Sequence, residues 1–337
     1  MSPESLLLQH VTDILHHNYH VRPNQYILLV YDLNSSLSCL LTTVYQTAIA
    51  SFAHASINFD ETAELELLDT FSKLPEHSVV ILVQSLSFRV TKYRLRADLF
   101  RLGHQVIEHA RLSYNKDEEI ENYINSLKYD TPYYVKTCDA IEQLLITHSH
   151  IKIESGGNVL TIDSPFEKAI KNTGDFTGNP TASSGFPIGE VFTEAKQLNA
   201  VNGTLVVFGF PTVGHLTHFA QPFTVTIKDG CLVSHTGPDE FEKILQLIRD
   251  EEQMGAVQVR EIGFGLNQAL GFNHHITEPT SFERFCGMHF SLGLKHTMYR
   301  RKISRKILQK YHVDIFCLVE MVFIGDVLIF EKGNYLV

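Results

Sequence analysis

Tyr26-Ile27-Leu28-Leu29-Val30-Tyr31 is an almost uninterrupted apolar run of strand length. A strand buried on one face alternates apolar with polar residues; one covered by helices on both faces does not, and such strands belong to parallel sheets. Val79-Val80-Ile81-Leu82-Val83 repeats the pattern. Between the two runs, Ser35 to His54 has the length and composition of a helix, Ala55 to Phe59 reads as a strand, and Ala63 to Leu74 as a second helix. His104 to His109 follows as a fourth strand and Asp117 to Leu127 as a helix with an acidic start. This order implies an α/β fold with a doubly wound, mainly parallel sheet. No G-x-G-x-x-G follows the first strand, and no G-x-x-x-x-G-K-S/T is present, so a nucleotide site is not supported. Residues 1–149 are therefore expected to form a scaffold that serves dimerisation or specificity.

Thr131 to Ser149 reads as a long helix, and the texture changes after it. His150 to Asp163 looks like a hairpin around Gly156-Gly157-Asn158, and Phe223 to His235 like another around Lys228-Asp229-Gly230. Thr204 to Gly209 and Val257 to Phe264 add strands, and Asp239 to Met254 reads as a helix charged on one side. Asn172 to Gly185, rich in Gly, Ser and Thr, is the expected flexible loop and leads into Glu190. Residues 150–337 thus form a mixed, strand-rich second domain.

Bulk properties narrow the function classes. A chain of 337 residues can hold two domains and a large core. The net charge of −10 argues against a nucleic-acid partner. The densest basic cluster, Arg300, Arg301, Lys302, Arg305 and Lys306, reads as a solvated helix face, or as a neighbour to an anionic group. Five cysteines without a C-x-x-C pair disfavour disulfide scaffolds and thiolate zinc sites, which fits a reducing cytoplasm. The start, Met1 to Val11, lacks a signal peptide's basic lead, and no apolar run approaches the ~20 residues of a membrane helix, so no membrane partner is expected.

The chemistry lies in the second half. In His312-Val313-Asp314 an extended backbone points the first and third side chains to one face, bringing an imidazole and a carboxylate together. His289, Glu261 and Glu190, from other segments, could complete a metal site. Imidazole and carboxylate ligands without thiolate suit zinc, cobalt, manganese or ferrous iron, and fit a reactive site better than a closed structural one. The plainer readings are that Glu190 caps a helix and that Glu261 pairs with Arg260 or another cation. Not all 18 histidines can be ligands: His16, His17 and His20 read as solvated or capping at a helix end, and His274-His275 as loop residues.

Taken in order, Pro187-Ile188-Gly189-Glu190-Val191-Phe192-Thr193, Asn202-Gly203-Thr204, Glu261-x-Gly263-x-Gly265-x-Asn267, Gly287-Met288-His289 and His312-x-Asp314 form a series. Over residues 150–337 it resembles the metallo-aminopeptidase family of aminopeptidases T and S. The resemblance implies a homodimer, a peptide or small amino-acid-derived substrate, and two divalent ions (Zn, Co or Mn) held by Glu190, Glu261, His289, His312 and Asp314. Glu261 would bridge the ions and accept a proton from the attacking water. Seven positions after His289 the family places a tyrosine; here it is His296, expected to act on the oxyanion, as an acid/base or as a sixth metal ligand, with Tyr299 nearby as a substitute. The lead-in Ser281-Phe282-Glu283-Arg284-Phe285-Cys286 also departs from the family. The same shape is used by 2,5-dihydroxypyridine dioxygenase, so a single Fe(II) ring-cleaving centre is the alternative, with a non-catalytic peptide binder as the third.

Overall fold

The two apolar runs of the first half lie side by side. In the computed structural model, strand Ile27–Tyr31 pairs in parallel with Val79–Val83, Ile27 opposite Val79. His54–Asn58 adds in parallel on one side, Gln105–His109 and then Ser183–Gly185 on the other, giving a five-stranded parallel sheet. Leu28, Val30, Val80, Leu82 and Val106 form one buried cluster with Leu67 and Phe71 of helix Glu64–Ser72 and with Leu95 and Leu99 of helix Leu95–Arg101. The alternate residues Ile27, Leu29, Val79, Ile81 and Val83 are also fully buried. Both faces are covered, which is why these strands show no polar alternation. Helix Ser36–Ala48 packs on Ile27–Tyr31 and Val79–Val83. Its start is fixed by a reciprocal pair: the Ser38 amide donates to Ser35 Oγ, and the Ser35 amide donates to Ser38 Oγ.

The structure describes residues 2–91, 93–214, 216–251, 255–279, 281–294, 296, 298–299 and 311–337; the basic cluster Arg300 to Lys306 lies outside the described residues. The chain divides into two compact units, residues 1–131 with 174–188, and residues 132–173 with 189–337. Helix Thr131–Thr147 belongs almost wholly to the second unit. The stretch expected as a flexible loop carries the fifth strand of the first, Ser183–Gly185.

In the second unit the named strands pair antiparallel. The hairpin His150–Ser155/Asn158–Asp163 turns at Gly156 and Gly157, both with φ above zero. Thr217–Lys228/Cys231–His235 turns at Asp229 and Gly230 with the same left-handed backbone, which is the chemistry that the two sequences offered. Six strands close into a ring: Val201–Pro211, Thr217–Lys228, Cys231–His235, Val257–Gly265, Gly287–Gly293 and His312–Leu318, the last pairing back to the first. Helix Asp239–Glu251 buries Phe241, Ile244, Leu245 and Ile248, a stripe at helical spacing. Among the described residues no helix is long and apolar enough to cross a membrane.

Candidate metal centre

Three neighbouring strands of the ring, with a fourth beside them, carry the candidate ligands. Gly263 lies opposite His289; Ser291 opposite Asp314; Gly293 opposite His312; and strand Glu190–Glu194 sets Glu190 opposite Gly265. Directly opposed residues share a face, as do residues two apart on a strand. Glu190, Glu261, His289, His312 and Asp314 therefore all project from one face, although 124 positions separate the first from the last.

The side chains converge as two groups with one member in common. Ligand atoms of Glu190, Glu261 and His289 lie within 4.8 Å of one another, and so do those of Glu261, His312 and Asp314. His289 Nε2 is 3.3 Å from Glu190 Oε1 and 3.4 Å from Glu261 Oε1. His312 Nε2 is 3.2 Å from Asp314 Oδ1, and the other ring nitrogen of His312 is 3.0 Å from the Leu294 carbonyl. Glycines make the room. A Cβ on Gly263 would collide with the His289 ring, and one on Gly265 with the Phe285 carbonyl. That is the physical content of the Glu261-x-Gly263-x-Gly265 spacing.

Of the plainer readings, only the pairing of Glu261 with a cation holds, and that cation is His289, at 3.4 Å. Glu190 opens a strand rather than capping a helix, and Arg260 turns to Glu194 at 3.7 Å and to the Gly293 carbonyl. The Glu261 amide donates to Ser291 Oγ.

Electrostatics show a site short of positive charge. Burial alone would depress His289, but its hydrogen bonds to Glu190 and Glu261 override this and hold it up at about 10. His312 is likewise held up at about 10, burial being outweighed by Asp314 and Glu261. Burial raises Glu261, with Asp314 and Glu190 adding to it. Asp314 is lowered: burial opposes, but His312 and His289 prevail. Glu261 Oε2 is buried and accepts no hydrogen bond, and Asp314 Oδ1 meets only the His312 ring, at 3.2 Å. Such oxygens are costly to bury. A divalent cation would satisfy both. The 3.2–3.4 Å separations also match the about 3.3 Å between neighbouring ligands of a tetrahedral ion at ~2.0–2.1 Å. The residues fit such an ion.

His296 stands beside this set, not in it. Its ring lies 4.8 Å from Phe192 and 6.0 Å from His312, and it belongs to neither ligand group. The Tyr299 hydroxyl donates to the Lys168 carbonyl at 2.6 Å. Sequence reasoning missed Arg284, whose Nη1 lies 2.6 Å from Glu190 Oε2 and 2.8 Å from Glu283 Oε2. The altered lead-in was the available signal. Asn267 fixes the turn that carries Arg284 by donating its amide to the Arg284 carbonyl. A cavity of about 270 Å³ in the same unit is lined by Phe208, Leu270, Phe272, His274, Met288 and Phe316. Phe316 also neighbours the His289 ring, at 5.8 Å.

No family model and no curated protein matches the sequence. Solved structures do match in fold. A 2,5-dihydroxypyridine dioxygenase from Pseudomonas putida KT2440 is similar over 100% of this chain and 98% of its own, with a TM-score of 0.63 at 14% identity. Wild-type AmpT, an aminopeptidase T, from Thermus thermophilus is similar over 100% of both chains, with a TM-score of 0.60 at 11% identity. The α/β architecture with its parallel sheet and large antiparallel sheet is thus a known one.

Proposed function

We propose that this chain is a metal-dependent hydrolase of the aminopeptidase kind, removing the N-terminal residue of peptides or of small amino-acid-derived substrates. The observation that carries the proposal is the membership of Glu261 in both ligand groups, the arrangement a bridging carboxylate needs. Two divalent ions (Zn, Co or Mn) bound there would supply Lewis acidity toward a carbonyl and lower the pKa of a water. Glu190, Glu261, His289, His312 and Asp314 would hold them. The carboxylates Glu261 and Asp314 are suited to accept a proton from water and to seat a substrate ammonium. His296, off the ligand set but 6.0 Å from the His312 ring, would donate to developing negative charge. The cavity bounded by Phe316 suits an apolar substrate side chain.

A mononuclear Fe(II) dioxygenase is the second reading, favoured by the fold likeness to one such enzyme. It asks for two imidazoles and a carboxylate on one ion. Among the described residues each candidate group carries a single histidine, which supports the hydrolase. The proposed working form is a cytoplasmic homodimer; a monomeric mass by light scattering at micromolar concentration would contradict the assembly. A panel of aminoacyl amides, assayed with zinc, manganese or cobalt, tests the activity. His296→Tyr should raise turnover by ~10²–10³-fold, the worth of one oxyanion donor. Oxygen uptake with iron and a dihydroxylated ring would favour the dioxygenase, and peptide binding with no turnover in either protein would favour a binder.

A further inference from the structure

We propose that Arg284 makes the two ligand groups unequal, so that this chain holds one divalent ion tightly at Glu261, His312 and Asp314 and a second only weakly beside Glu190 and His289. The inference rests on the ligand reading above and concerns how those ligands are loaded.

Both oxygens of Glu190 are engaged, on opposite sides. Oε1 faces His289 at 3.3 Å, and Oε2 accepts from Arg284 Nη1 at 2.6 Å. Any ion held by Oε1 therefore sits one carboxylate away from a guanidinium that is 14% exposed. Glu283 offsets part of that charge, from a position a quarter open to water, where screening weakens it. The other group is different. Among the described residues no lysine or arginine pairs with Glu261 or Asp314; Glu261 Oε2 is buried without a hydrogen-bond donor, and Asp314 Oδ1 meets only the His312 ring.

Two effects of Arg284 on a neighbouring ion oppose each other. It orients Glu190, and losing an orienting partner of a ligand costs about 10–100-fold in affinity. It also repels the ion, and a guanidinium roughly 5 Å from a divalent cation in a protein site is worth several powers of ten. Repulsion wins, so Arg284 keeps the Glu190 side weak.

The test is equilibrium dialysis of metal-free protein against zinc, with bound metal counted by mass spectrometry. The wild type should take one equivalent tightly and a second only at 100-fold or more higher free zinc. Asp314→Asn should abolish the tight equivalent, whereas the double variant Glu190→Gln/Arg284→Met should retain it. Arg284→Met should tighten the second equivalent at least tenfold, and Arg284→Lys, which keeps the charge, should not. Two equally tight equivalents in the wild type would overturn the inference and leave the ligand reading standing. So would a second equivalent that Arg284→Met leaves unchanged or weakens while circular dichroism shows the fold intact. No bound zinc in the wild type would overturn both.

Discussion

Each unit buries aspartate or glutamate among other polar groups, but the two clusters are finished differently. In the first unit Asp32 stands at the end of strand Ile27–Tyr31, and Ser85 just beyond strand Val79–Val83. The Ser85 amide donates to Asp32 Oδ2 at 2.8 Å, the Ser85 hydroxyl to Oδ1 at 2.5 Å, and the Asn34 amide to Oδ1 at 3.2 Å. Ser35 and Ser38 crowd the same hydroxyl at 3.0 and 2.9 Å. The carboxyl ends of parallel strands are where doubly wound sheets ordinarily open a ligand crevice. Here the chain's own hydroxyls and amides fill that place. In the second unit Glu261 Oε2 is buried with no donor, and Asp314 Oδ1 meets only the His312 ring, at 3.2 Å. A saturated carboxylate stabilises a fold; an unsaturated one is a place held for something else.

Substitutions should separate the two clusters cleanly. The largest effect is expected at Asp314. Asp314→Ala should lower affinity for zinc or manganese by 10³-fold or more, while the metal-free protein still folds. Failure of the metal-free variant to fold would erase the distinction drawn here. Asp32→Ala should do the reverse, costing ~2–3 kcal/mol through the buried donors it strands and leaving metal affinity unchanged. Urea unfolding followed by circular dichroism measures the first quantity, and metal titration the second.

A smaller effect sharpens the contrast. Only neutral imidazole ligates, and metal-free His312 is held up at about 10 by Asp314 and Glu261 against its burial. Below that pH a proton must leave before an ion binds. Affinity should therefore rise with pH, about tenfold per unit for one imidazole, and level off near pH 10. Calorimetry in buffers of different ionisation enthalpy reads the released proton directly. No proton release at pH 7 would mean that His312 is not a ligand. The sign is opposite for folding: a raised histidine contributes stability that is complete below about pH 6.5 and is lost as pH rises towards 10, so metal-free protein should weaken on the alkaline side.

What could be read from the sequence depended on how far apart in the chain its causes lie. Strands Ile27–Tyr31 and Val79–Val83 were legible because burial on both faces leaves an unbroken apolar run. The two hairpins were legible because Gly156-Gly157 and Asp229-Gly230 supply the left-handed backbone that such turns need. His312 and Asp314 are two apart on one strand, so their meeting is local as well. Helix Leu95–Arg101 was not found; two turns with only Leu95 and Leu99 buried carry too little periodicity. Nor was strand Ser183–Gly185, three small residues recruited by the edge of an existing sheet. The helix expected over Ser35 to His54 stops at Ala48, since His54 is already paired with Ile27 in the next strand. Arg284 escaped because the altered lead-in that contains it does not point to its partner, Glu190, 94 positions away. The register of four strands brings the ligands to one face, and register is set by the whole ring.

The central claim is that Glu261, His312 and Asp314 hold a divalent ion. Crystals of protein loaded with zinc, measured on both sides of the zinc absorption edge, test it most directly. The account predicts an anomalous peak within ~2.0–2.2 Å of His312 Nε2 and of carboxylate oxygens of Asp314 and Glu261. An anomalous map with no peak among those three side chains, from crystals in which all three are ordered, would contradict it.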